Sequence, residues 1–129
     1  MLKKEMRVVR EFSFEAAHFL PGYNGPCAHM HGHSYRLQIG ITGPIDASGM
    51  VMDFKQLSEL VKDSVVNPLD HTILNESKLE GFPVATPTAE LMVVWIREKL
   101  TKYLHKYNQS VSLVRLWETQ NSFAEWTAE

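Results

Sequence analysis

The chain has 129 residues and 14.8 kDa, with 44% hydrophobic and 22% charged residues, which fits one domain burying roughly two-thirds of its unfolded surface and excludes native disorder. Lys plus Arg number 13 against 15 Asp plus Glu, a net charge of -2, so there is no basic excess to hold a nucleic-acid backbone. The longest apolar run, Leu91 to Ile96, is far shorter than the ~20 residues of a membrane helix, and residues 1–10 lack the continuous apolar stretch of a secretory signal.

Cys27 is the one cysteine, so an intrachain disulfide is impossible and, with no export signal, a reducing cytoplasm is the expected compartment. No repeat or linker divides the chain, and residues 1–129 read as a single domain. Phe12, Phe14, Ala16 and His18 share one side of a predicted strand, because side chains alternate with period two. Pro21, Gly22, Asn24, Gly25 and Pro26 make the next stretch a loop. A second strand is predicted over His31–Thr42, with His31, His33, Tyr35, Leu37, Ile39 and Ile41 facing one way and Arg36, Gln38 and Gly40 the other. Gly43-Pro44 ends it, a turn follows at Asp46–Gly49, and Met50–Met52 reads as a short return strand.

Asp53 caps a predicted helix whose Phe54, Leu57, Val61 and Val65 form an apolar stripe closed by Pro68. The stretch Leu69–Ala85 is irregular. Thr86 then caps a second helix, with Pro87 in its first turn and Met92, Trp95, Ile96, Leu100, Tyr103 and Leu104 as its buried face. A third long strand spans Val111–Thr119, with Val114, Leu116 and Glu118 on one face, where a buried carboxylate needs a ligand or a cationic partner, and Phe123–Trp126 reads as a short final strand. Paired strands joined by short turns favour an antiparallel four-stranded sheet with two helices on one face, an α+β fold.

Chemistry concentrates in Cys27-Ala28-His29-Met30-His31-Gly32-His33, with His18 upstream. On an extended segment His31 and His33 project from one face about 6–7 Å apart, close enough to share an ion. His18, ending a neighbouring strand on its own face, supplies a third imidazole, and three neutral nitrogens suit Zn²⁺ with a fourth position open. Each residue taken singly has a plainer reading. His18 reads as a satisfied core histidine, Cys27 as a small buried hydrophobe, and the His31/His33 pair as surface histidines. His29 has the same parity as the pair and reads as a rim residue, with a weaker reading as a phosphate contact.

Phe14-Glu15-Ala16-Ala17-His18, Cys27-x-x-x-His31-Gly32-His33, Leu69-Asp70-His71, Pro87-Thr88-Ala89-Glu90 and Trp117-Glu118-Thr119 follow in that order. Together they resemble the 6-pyruvoyltetrahydropterin synthase and 6-carboxytetrahydropterin synthase family over Phe12 to Thr119. The three residues between Cys27 and His31 resemble the bacterial carboxy enzymes of queuosine biosynthesis. The resemblance implies a zinc lyase that converts 7,8-dihydroneopterin triphosphate to 6-carboxy-5,6,7,8-tetrahydropterin, releasing acetaldehyde and triphosphate. It implies a tunnelling fold in which three subunits close into a barrel and two such rings stack as a homohexamer.

By the same resemblance His18, His31 and His33 are the zinc ligands. Cys27 is a catalytic thiolate, Asp70 and His71 are a proton-moving pair that meets the cysteine across a subunit boundary, and Glu118 anchors the pterin. Thr88 and Thr119 would line the pterin site. From the residues alone, Asp70-His71 also reads as a helix start, Glu118 as a salt bridge to Arg115 or Arg36, and the threonines as cap and strand packing. Three other functions stay open. They are the pyruvoyl branch on the same substrate, a folate-type relative (against which Cys27 argues), and a zinc-stabilised pterin-binding module without turnover.

Overall fold

Alternation of apolar and polar side chains carries two long strands, β1 (Glu5–His18) and β2 (His31–Pro44). They pair antiparallel, setting Phe12 opposite Leu37, Phe14 opposite Tyr35, Ala16 opposite His33 and His18 opposite His31. One face of the pair is therefore apolar along its length and histidine-rich at one end. The computed structural model describes residues 5–128.

The sheet has five strands, in the order β3-β1-β2-β4-β5, with β3 (Thr72–Ile73), β4 (Ser110–Thr119) and β5 (Ser122–Thr127). It is open and mixed: β3 runs parallel to Ala16–Ala17 on the outer side of β1, whereas the other pairings are antiparallel. This corrects the expected four-stranded antiparallel sheet. The added strand is two residues long and carries no alternation to read. It is docked by neighbouring bonds to the edge of β1, from the Glu15 N–H to Asp70 Oδ1 at 2.8 Å and from the His71 N–H to the Glu15 carbonyl at 2.5 Å. Met50–Met52 forms no strand. The Val51 carbonyl instead accepts from Gln109 Nε2 at 2.9 Å, and both Val51 and Met52 are buried against the core.

The first helix (Phe54–Val61) begins as expected at Asp53, whose Oδ1 accepts the Lys55 N–H at 2.7 Å. It continues through a wider π-type turn, Lys62–Val66, and a last turn, Asn67–Leu69. Pro68 thus lies inside the final turn instead of closing the helix, directly after the π-type turn. The long helix (Ala89–Leu104) starts two residues later than expected: Thr88, not Thr86, is the cap, its Oγ1 accepting the Leu91 N–H at 3.2 Å. Met92, Trp95, Ile96, Leu100 and Leu104 are buried as the periodicity required, but Tyr103 is exposed.

These helices cover the apolar face, enclosing Leu37, Ile39, Ile41, Leu57, Val61, Met92, Ile96, Val114 and Leu116. The opposite face is polar. A row of side chains crosses four strands, from Glu11 through Gln38 and Arg115 to Glu125, each bonded to the next. Beside it the Arg36 guanidinium lies over the Trp117 ring, 4.1 Å from its centroid. The β4–β5 register slips by one residue between Trp117 and Thr119, so Glu118 is the extra residue of a bulge.

Candidate metal centre

The strand ends bring His18, His31 and His33 together. His18 Nε2 lies 3.1 Å from His31 Nε2 and 3.2 Å from His33 Nε2. Four ligands bound tetrahedrally to one Zn²⁺ at 2.0–2.1 Å stand about 3.3 Å apart, so the spacing fits one ion. The other ring nitrogens decide which atoms carry lone pairs. His18 Nδ1 donates to the Pro87 carbonyl at 2.8 Å, and His31 Nδ1 to the His29 carbonyl at 2.6 Å. In the neutral rings both Nε2 atoms are then acceptors facing one another, an arrangement that a cation relieves and no hydrogen bond between them can.

Glu118 completes the cluster. Its Oε1 is 2.9 Å from His33 Nε2 and 3.2 Å from His18 Nε2, and the four ligand atoms all lie within 4.8 Å of one another. The arginines read as its possible partners are engaged elsewhere, Arg115 with Glu125 and Arg36 with Glu11. The hydrogen bond with His18 holds the Glu118 carboxyl below the usual glutamate range; burial opposes this, and the charges of His33 and His18 reinforce it. Burial alone would lower the His18 imidazole, but the Glu118 carboxylate and the Pro87 carbonyl outweigh it and the net direction is up. His33 moves down, because burial and the neighbouring His18 and His31 charges prevail over Glu118. The site thus favours cations and orders which imidazole takes a proton first when no metal is bound.

The remaining candidates are spread around this centre. Asp70 and His71 are in contact, with Nδ1 to Oδ1 at 3.0 Å, and they follow the end of the first helical segment and do not start a helix. His71 adopts φ 59°, a left-handed conformation uncommon for a residue with a Cβ, and its ring is mostly exposed. His33 and His71 line one groove of about 430 Å³ at the β1–β3 edge, together with Ala16, Gly32 and Thr72. Cys27 lies half-buried in the short 3₁₀ turn Pro26–Ala28, and its thiol is not among the converging ligand atoms. His29 is exposed and its ring is likewise outside the cluster; its contribution is the carbonyl that accepts from His31. Thr88 caps the long helix and Thr119 Oγ1 accepts the Asn121 N–H at 3.3 Å. Glu118 also lines a second groove of about 550 Å³ with Ala89, Glu90 and Phe123.

Three supports of the site escaped sequence reasoning. The Pro87 and His29 carbonyls orient two ligands, and a backbone acceptor leaves no mark in residue type. Tyr35 does leave one, since it shares the parity of His31 and His33. Its buried hydroxyl lies 3.4 Å from His18 Nδ1, and its ring stands edge-on to His33 at 5.6 Å. Burial pushes its phenol well above the ordinary range, so it stays neutral beneath the triad.

Known proteins resemble this chain in sequence and in fold. A protein of Haemophilus influenzae named 6-carboxy-5,6,7,8-tetrahydropterin synthase is 38% identical over 93% of this chain and 97% of its own length. A Synechocystis protein of the same name is 41% identical over 72% of this chain and 73% of its own. Among solved structures, Caenorhabditis elegans 6-pyruvoyl tetrahydropterin synthase superposes with a TM-score of 0.83 over the full length of both chains at 24% identity, a likeness of fold. Residues 7–129 match the family described as 6-pyruvoyl tetrahydropterin synthase. By that match and by the identity of its relatives, this chain belongs to the 6-pyruvoyl tetrahydropterin synthase family.

Proposed function

We propose that the protein is a zinc-dependent lyase that converts 7,8-dihydroneopterin triphosphate, with one water, to 6-carboxy-5,6,7,8-tetrahydropterin, acetaldehyde and triphosphate, the carboxy-type chemistry of queuosine biosynthesis. The observation that carries the reading is the convergence of His18, His31 and His33 Nε2 beside a carboxylate, in a chain whose relatives are named for that product.

His18, His31 and His33 would hold the ion, which as a Lewis acid acidifies the neighbouring carbon of the substrate side chain and steadies the charge that develops there. Cys27 as thiolate takes a proton from the side chain. Asp70 holds the His71 ring through Nδ1, leaving Nε2 to move a proton at the opposite face of the substrate. Glu118 accepts the parallel N–H bonds of the pterin ring, which fixes ring orientation as well as affinity. Thr88 and Thr119 stand at the two chain segments that would flank that ring, the start of the long helix and the end of β4.

The partner is a small pterin triphosphate, with no nucleic acid or membrane involved, and the compartment is the cytoplasm. His71 is exposed in the single chain, and most of β1 and all of β5 present free edges. Both features support a shared site in a homohexamer, a dimer of trimers in which three sheets close into a barrel.

The deciding experiment is mass spectrometry of products from zinc-loaded protein and 7,8-dihydroneopterin triphosphate, alongside Cys27→Ala. A carboxytetrahydropterin with acetaldehyde, lost in the variant while zinc binding persists, is the expected result. A pyruvoyl product would move the chain to the other branch of the family. Folded, zinc-loaded protein without turnover would support a binding module.

A further inference from the structure

Glu118 stands one step beyond the Arg36–Trp117 pair of the β2–β4 ladder, on the face that carries Leu116, Tyr35 and His33, and at the point where the β4–β5 pairing bulges. Its carboxylate oxygen lies 2.9 and 3.2 Å from two of the three converging imidazoles. That is the spacing of ligands around one ion, about 3.3 Å for tetrahedral zinc. Three neutral imidazoles leave a dication's charge uncompensated, and Glu118 is the acidic residue within reach of the cluster among those described.

We propose that Glu118 Oε1 holds the fourth metal position in the substrate-free protein and yields it when a pterin enters. This rests on the metal-centre reading given above and adds a gate to it. One carboxylate then serves two states in turn. Bound to the ion, it closes the metal to solvent. Released, it is free to accept the ring N–H groups of the pterin, so recognition of the ring and opening of the metal become one movement. A polyol lacking the ring has nothing to offer Glu118 in exchange and leaves the metal closed.

The test uses metal-stripped full-length protein reloaded with cobalt(II), whose visible absorption reports its ligands, in wild type and Glu118→Gln. The variant is expected to show altered bands and, by chelator competition, cobalt affinity reduced at least about 10-fold, the smallest loss usual when even a residue that only orients a metal ligand is changed. Saturating neopterin is expected to change the wild-type bands, whereas glycerol leaves them as they are. Identical bands in wild type and variant would refute ligation by Glu118, even if affinity falls, since a nearby charge alone lowers affinity without changing the ligand set. Wild-type bands that ignore neopterin, or that respond equally to glycerol, would refute the exchange. If Glu118→Gln does not fold by circular dichroism, Glu118→Asp, which keeps the charge and shortens the reach, answers the same question. Wild type that takes up no cobalt at all is a different failure, that of the metal-centre reading itself.

Discussion

Stripping the metal is expected to leave this fold intact and to lower its melting temperature by about 10 °C. The reasoning starts from where the site sits. His18 ends β1 and His31 opens β2, so an ion held by them would tie together strand ends. The main core of Leu37, Ile39, Met92, Ile96 and Leu116 is sealed between sheet and helices without it. Removing the cation also leaves the converging imidazoles with a substitute, since Glu118 lies close enough to hold a proton on His18. What is lost is then mainly mass action. Zinc at 100 times its Kd stabilises the native state by about 2.7 kcal/mol. For a chain of this size each kcal/mol moves Tm by about 3–5 °C, which gives a shift of roughly 8–14 °C. The assay is a thermal melt followed by far-ultraviolet circular dichroism, before and after chelation, with zinc added back. A chelated protein that has lost its secondary structure at 20 °C, and regains it with zinc, would refute this reasoning and favour a structural ion.

Other perturbations separate the site from the scaffold. In metal-free protein His18, with its pKa raised, contributes stability that is full below pH 6.5 and fades as pH rises through its folded value; Glu118→Gln should flatten that alkaline decline in Tm. His33, with its pKa lowered, works the other way and costs stability as pH falls below 6.5, while Glu118, also lowered, holds its contribution until pH drops below the usual glutamate range. The metal-free optimum should therefore lie near neutrality, read as Tm against pH. Leu37→Ala, at a fully buried position, should cost about 2–5 kcal/mol in urea unfolding, whereas Tyr103→Ala should stay within about 0.5 kcal/mol because that side chain is exposed. Thr88→Ala should cost about 1 kcal/mol and Thr86→Ala almost nothing, an equilibrium-unfolding test of which threonine caps the long helix.

What the sequence made legible follows from side-chain periodicity. The alternations through Phe12–His18 and His31–Ile41 are borne out, because a one-residue slip would turn every apolar side chain to solvent. The same constraint put His18, His31 and His33 on one face, and the pairing of His18 with His31 then brought them to one point. The helix cap was misplaced because two threonines flank Pro87, and either is competent as a cap. In the structure the Pro87 carbonyl accepts from His18, and the intrahelical bonds begin at the Thr88 carbonyl, which accepts the Met92 N–H at 2.9 Å.

Glu118 marks the other boundary of what pattern can tell. Its parity with Val114 and Leu116 turned it to the helix-covered face, where a carboxylate is costly without a partner. Such a carboxylate needs a cationic or ligand partner, and Arg115 and Arg36 are the cations that the sequence offers nearby. The partner it has is a set of imidazoles. Glu118 reaches them from the β2 side of its strand, one step beyond the Arg36–Trp117 pair, and strand pairing is a property of two backbones together. The two-residue strand Thr72–Ile73 was missed for the same reason: its place is set by Glu15 backbone groups, which any residue type would supply. Where the three imidazoles stand was therefore readable from side-chain pattern, while how they are oriented depends on the Pro87 and His29 carbonyls, and those are the features most worth perturbing next.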